Sequence, residues 1–200
     1  MFTGIFEPAF LQAASNTQGD APENNVIIFH VESVPLVNLE PEVSCVGEIS
    51  IEYKKNGETQ TLTYSDLEEV QVLDDKPDDD SDVIIRGRVT RMYMSGPPFA
   101  CINSLDVSQC KTLKDLTASF GNLQTLNLNT QLISLNVNYM VDIETIYYAA
   151  NNSAVSTAVA GAITNADANN GIVYTDSAAA YYSIIADAAT AKGWTIQQLL

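Results

Sequence analysis

Candidates for nucleophilic or histidine-based chemistry are scarce in this 200-residue chain. There is one histidine, His30, so a paired-histidine mechanism or a His-rich metal site is excluded. It falls in the apolar run 26–31, where a half-buried strand residue with a satisfied ring is the expected role. The three cysteines, Cys45, Cys101 and Cys110, form no C-x-x-C pair, and an odd number leaves at least one unpaired within the chain. Reduced, buried thiols are the expectation. A Cys45–His30 dyad is the alternative to that reading, and no family signature surrounds either residue. Gly87, Gly96 and Gly121 stand alone, outside any phosphate-binding loop, nucleophile elbow or dinucleotide fingerprint. Carboxylates cluster only in residues 74–82 (DDKPDDDSD), six aspartates in nine residues. Calcium accepts several carboxylates, but this run lacks the glycine of the calcium-loop pattern and contains Pro77, and mutual repulsion favours a solvated acidic linker over 76–83. No catalytic residue, metal or cofactor is assigned, and an enzyme is not expected.

Charge narrows the partners further. Nine Lys and Arg against 25 Asp and Glu give a net charge of −16, which repels phosphate backbones and anionic headgroups. Nucleic acid is excluded as a partner. No run approaches the roughly 20 apolar residues of a membrane span, so no insertion is expected. The first basic residue is Lys54, after eight acidic ones, and residues 1–10 are broken by Gly4 and Pro8, so no secretory signal is expected there.

The elements that must position any site fall into regions of distinct composition. Residues 1–24 hold Phe2, Ile5, Phe6 and Phe10, followed by the polar stretch 15–24 with Gly19 and Pro22. This segment reads either as a disordered terminus or as a docking arm whose four apolar side chains fill pockets on another protein of an assembly. Residues 25–75 read as a small antiparallel β subdomain, with strands over 26–31, 48–54, 58–64 and 69–73. Asn56-Gly57 is a hairpin turn, because both residues tolerate the positive φ of a type I′ turn. Ile49, Ile51 and Tyr53 alternate with Ser50, Glu52 and Lys54, so one face is buried and the other wet.

From residue 89 one spacing recurs: apolar, two others, apolar, one other, apolar. The copies are Val89-Met92-Met94, Ile102-Leu105-Val107, Leu113-Leu116-Ala118, Leu123-Leu126-Leu128, Leu132-Leu135-Val137 and Ile143-Ile146-Tyr148, beginning 13, 11, 10, 9 and 11 residues apart. Six near-regular copies predict a repeat architecture. Each would be a short strand, with strands near 102, 123 and 143 in one wall and those near 89, 113 and 132 in the other, enclosing a dry interior. Residues 154–168 then carry apolar positions at helical spacing with Ser153 as cap. Residues 171–175 form a strand, a helix starts at Asp176 or Ser177 and ends at Gly193, and residues 194–197 form a last strand.

The segment INSLDVSQC (102–110) fits the leucine-rich-repeat template L-x-x-L-x-L-x-x-N/C with Cys110 in last place, and IETIYYAAN (143–151) fits it with Asn151; LQTLNLNTQ (123–131) places Gln131 there. Over residues 84–200 the chain resembles the short leucine-rich repeats of bacterial surface proteins and of some phage virion proteins. The resulting expectation is an α/β fold: a leucine-rich-repeat-like solenoid with a parallel sheet and C-terminal helices, preceded by the antiparallel subdomain. The side chains between the apolar positions would face outward, namely Ser104, Asp106, Ser108, Thr125, Asn127, Asn129, Thr145 and Tyr147. They form a polar lattice able to bind a protein or glycan, or serve simply as the wet side of a strand. The resemblance implies a non-catalytic structural component, in a virion or in the cytoplasm before assembly, as decoration, head-fibre or tail protein. The alternative is an adhesion module on a bacterial surface.

Overall fold

The computed structural model describes residues 25–33 and 35–199. Strand β1 (Val26–Val31) places Ile27, Phe29 and Val31 in the core and turns Val26, Ile28 and His30 to the other face, as strand alternation requires. Two long strands, β2 (Glu42–Lys55) and β5 (Ser81–Ser95), form the spine of the molecule. Strand β3 (Glu58–Ser65) returns from β2 through the expected hairpin, with Asn56 at φ 56° and Gly57 at φ 79°. Strand β4 (Val70–Gln71) is a two-residue edge on β2.

The spine is bent by a bulge. The β2–β5 register shifts on both sides of Cys45, and opposite the break stands Gly87 at φ 126°. A Cβ at position 87 would lie 2.6 Å from the Glu48 carbonyl oxygen and 2.8 Å from Ile49 Cγ2, so only glycine fits. The bend gives the two halves of each long strand different neighbours. Residues 81–86 of β5 pair antiparallel with β1, and residues 91–95 pair in parallel with β7 (Asp115–Ser119).

Beyond β1 the sheet continues through β6 (Ile102–Asp106), β8 (Thr125–Asn127), β10 (Thr145–Tyr147), β11 (Ile172–Thr175) and β12 (Thr195–Gln198), each parallel to the one before it from β6 on. On the other arm, β7 is followed by β9 (Ser134–Asn136), also in parallel. Two helices follow, α1 (Ser153–Asn165) and α2 (Tyr182–Lys192). The cap of α1 is Asn152, whose Oδ1 accepts from the Val155 amide at 3.1 Å, and not Ser153. Helix α2 starts at Tyr182, later than expected, because Asp176 closes a turn on the Ala178 amide at 2.9 Å. Gly193, at φ 79°, ends α2 as expected.

These pairings overturn the expected class. The molecule is mainly β, a 12-stranded mixed sheet with two helices among the described residues, rather than an α/β leucine-rich-repeat-like solenoid preceded by a small antiparallel subdomain. The strands of the repeat do lie in the two expected rows. The row that starts at β6, however, is attached to β1, which runs antiparallel to both β5 and β6. The physical reason is the length of β5. One 15-residue strand carries antiparallel β2 along one edge and, on the other, antiparallel β1 at its start and parallel β7 at its end, so both kinds of pairing belong to one sheet around one core from Ile27 to Trp194. No helix among the described residues is long and apolar enough to cross a membrane.

Candidate functional site

The parallel row turns its apolar residues inward and thereby sets a regular outer face. Leu105, Leu126, Ile146 and Val173 are in register across β6, β8, β10 and β11 and are fully buried. Each such side chain contributes about 1.5–3 kcal/mol of burial. The residues one place earlier and one place later must then face out. Ser104, Thr125, Thr145, Ile172 and Thr195 form one outer line, and Asp106, Asn127, Tyr147, Tyr174 and Gln197 form the other.

The second line is pre-ordered by its own contacts. Neighbouring strands lie about 4.8 Å apart, so like side chains in register meet face to face. Tyr147 and Tyr174 stack with centroids 4.3 Å apart and planes 6° from parallel. Burial and then the neighbouring Tyr174 push the Tyr147 hydroxyl pKa up. Asn127 Nδ2 donates to Asp106 Oδ2 at 3.0 Å, while Asp106 Oδ1 accepts from the Ser108 amide at 2.8 Å. The line therefore runs from an ordered carboxylate through an amide to two stacked rings. Tyr174 and Gln197 were missed from sequence. The signal was present, since Tyr174 follows the buried Val173 as Tyr147 follows the buried Ile146.

Of the expected face residues, Ser104, Asp106, Thr125, Asn127, Thr145 and Tyr147 share this surface. Asn129 does not. It is 2% exposed, its amide donates to the carbonyls of Cys110 (2.7 Å) and Leu113 (3.3 Å), and its Oδ1 accepts from the Gln131 amide at 2.7 Å. The chain is already turning toward the other row at Asn129, and a buried turn needs its carbonyls satisfied, so this asparagine ties the turn instead of facing solvent. The docking-arm residues Phe2, Ile5, Phe6 and Phe10 lie outside the described residues.

The remaining candidates for chemistry are His30 and the three cysteines. His30 Nδ1 lies 2.9 Å from Asp82 Oδ1, and Nε2 lies 3.6 Å from Asp80 Oδ1, beside a shallow cavity of about 300 Å³ that Lys54 and Glu52 also line. His30 is opposite Asp82 and Cys45 is opposite Val89 on β5. Seven residues of strand separate those positions by roughly 20 Å, so no His30–Cys45 dyad exists. All three cysteines are free and buried, and burial pushes the thiols of Cys101 and Cys110 up.

The acidic stretch is tied to the β2–β3 hairpin. Asp78 accepts from the amides of Asn56 (2.8 Å) and Gly57 (2.7 Å), orienting the turn. Asp75 accepts from Tyr53 Oη (2.7 Å) and Lys55 Nζ (2.6 Å). Burial works against its charge, but the hydrogen bonds from Lys55, Tyr53 and the Lys76 amide outweigh it and hold the Asp75 carboxyl below the usual range. Burial, followed by the bond to Asp75, pushes the Tyr53 hydroxyl up to about 12. Glu40 is raised by sharing a hydrogen bond with the neighbouring carboxyl of Asp74. No group of three or more metal-ligating side chains occurs among the described residues.

No family model, no curated protein and no solved structure matches the chain.

Proposed function

We propose that the chain is a non-catalytic structural and protein-interaction component of a larger assembly, which presents the outer face of its parallel row to a neighbouring protein. The observation that supports this best is the line Asp106, Asn127, Tyr147, Tyr174 and Gln197. Its members are held at strand spacing by a hydrogen bond and a ring stack. Side chains ordered before binding lose little rotamer entropy on contact, and tyrosine is favoured at the centres of protein interfaces. The groups that could do chemistry are engaged elsewhere, His30 with Asp82 and the cysteines in the core. Phe2, Ile5, Phe6 and Phe10 supply further apolar contact area for assembly. The setting we propose is a multi-subunit particle such as a virion.

The test is native mass spectrometry of the complex isolated with the wild-type chain and with a Tyr147→Ala, Tyr174→Ala variant that circular dichroism shows to be folded. The wild-type chain is expected in a multi-subunit complex and the variant as free chain. A wild-type chain that is monomeric at its source overturns the proposal. A second reading, a glycan-binding module on a cell surface, draws on the amide of Asn127 standing beside the Tyr147 ring. Carbohydrate-array binding that disappears in Asn127→Ala would select it.

A further inference from the structure

The sheet ends at β3, and that end is open. Over its whole length β3 pairs with β2 in an unbroken antiparallel ladder, from Glu48 with Ser65 to Lys55 with Glu58, and its other edge pairs with no strand among the described residues. Antiparallel backbones alternate their hydrogen-bonding direction residue by residue. The Asp66 amide donates to the Gly47 carbonyl of β2 at 3.1 Å, so the even-numbered residues of this stretch bond to β2. Thr59, Thr61, Thr63 and Ser65 therefore aim their amides and carbonyls outward, and all four are exposed. Proteins guard such an edge with a lysine, a proline or a bulge. Residues 59–65 (TQTLTYS) hold no charge, no proline and no register shift, in a chain of net charge −16. The free edge at the other end of the sheet, β12, has only four residues.

We infer that a second copy of this chain pairs with this edge, β3 against β3, antiparallel about a two-fold axis at Leu62. The order of residues argues for that occupant. A two-fold pair sets each residue against the one equally far beyond the axis, and TQTLTYS reads nearly alike in both directions. Thr59 meets Ser65, Gln60 meets Tyr64, Thr61 meets Thr63, and Leu62 meets itself. Every partner has the same parity, so the outward-bonding residues of one copy face those of the other, and each such pair exchanges two backbone hydrogen bonds. Leu62 and Tyr64 are half-buried, packed on their own core from one side, and the partner strand closes the other side. On the outer face threonine stands against threonine, a favourable cross-strand pair. Sliding the register by two residues toward the turn sets Glu58 against Tyr64 and Leu62 against Gln60, and sliding it by one turns Leu62 to the wet face. The pair also joins two copies of the face proposed above to bind a neighbour; that consequence, unlike the pairing itself, rests on the earlier reading.

So short a ladder buries less area than a standard interface, so the pair is reversible, with a dissociation constant in roughly the micromolar range, and it separates at the dilution at which a complex is isolated. Sedimentation equilibrium of the purified chain at rising concentration should show monomer in exchange with dimer. Thr61→Pro removes one outward amide per copy and leaves the bonds to β2 intact, a place where an edge strand accepts proline. The dimer should weaken at least about tenfold, with an unchanged circular dichroism spectrum. Thr61→Glu with Thr63→Glu sets like charges opposite each other and should give the same loss, while Thr61→Lys with Thr63→Glu should restore the pair. Disulfides read the position of the axis. On mild oxidation Leu62→Cys should link two copies, because Cβ atoms directly opposed across the pair lie about 4.5–5.5 Å apart, whereas Thr59→Cys, roughly 20 Å from its counterpart, should not. A chain that stays monomeric at its highest soluble concentration, a dimer indifferent to Thr61→Pro and to the paired glutamates, or linkage through Thr59→Cys in place of Leu62→Cys overturns the pairing. The Tyr147→Ala, Tyr174→Ala variant should leave this equilibrium unchanged, so failure of the pairing and failure of the outer-face reading are told apart.

Discussion

The antiparallel part of the sheet, β1 to β5, and the parallel row from β6 to β12 enclose one core by different means. The first has strands of up to 15 residues, long backbone ladders and a turn held by a carboxylate. The second has strands of three to five residues, too short for its ladders to do much, and relies on a stack of identical inward apolar positions. Charge divides the same way. Fifteen of the 25 acidic residues fall between Glu32 and Asp82, while the outer line of the parallel row is a hydrogen-bonded and aromatic ladder with one carboxylate. Long strands can tolerate a bulge and a crowd of aspartates. Short ones depend on every layer being filled.

That contrast can be broken most severely at the bulge. Gly87→Val puts a branched side chain at φ 126° and within 3 Å of β2, which combines backbone strain with overpacking. A loss of about 4 kcal/mol is expected in chemical denaturation. In the parallel row, Leu126→Ala opens a cavity between layers, and we expect about 3 kcal/mol. Hydrogen exchange should then show β8 and β10 opening before β2 and β5. Simultaneous opening of both parts would show that they are not separable in stability. Asp78→Ala removes two charge-assisted bonds from an exposed turn and should cost about 1 kcal/mol, seen as a lower melting temperature. A double-mutant cycle of Tyr147→Ala and Tyr174→Ala should give a coupling near 1 kcal/mol, from a stack with no charge in it, so salt should leave it unchanged.

The smallest effect is confined to alkaline solution. The Tyr53 hydroxyl titrates near 12 in the fold, above its ordinary value of 10. Its contribution to stability is therefore complete below pH 10 and is lost as pH rises toward 12. Tyr53→Phe should remove that part of the alkaline decline. The sign reverses for Asp75, whose folded value is depressed. Its contribution is present above about pH 4 and is lost on acidification below it, so Asp75→Asn should flatten the acid limb.

Much of the local structure was legible because it has local causes. The strand at 26–31, the Asn56-Gly57 turn, the Gly193 cap and the buried member of each apolar triplet all follow from period-2 alternation or from one residue's backbone preference. Six of the eight outward residues proposed on the parallel row stand on its face for the same reason, since a buried leucine turns its neighbours outward; Ser108 lies in the turn past the end of β6. Asn129 failed because the turn it sits in is set by the carbonyls of Cys110 and Leu113, 19 and 16 residues earlier. The partner of Tyr147 was missed because Tyr174 lies 27 residues further on, across a helix.

By itself the sequence determined which residues are inward and where the chain turns. It did not determine what each strand edge pairs with. Tertiary structure decided that β1 sits between β5 and β6, 50 to 80 residues away, and that β5 carries antiparallel and parallel neighbours on one backbone. Backbone hydrogen bonds are chemically alike at every residue. The choice among edges is made by which arrangement lets all the apolar faces close on a common core, a property of the whole chain that no local window contains.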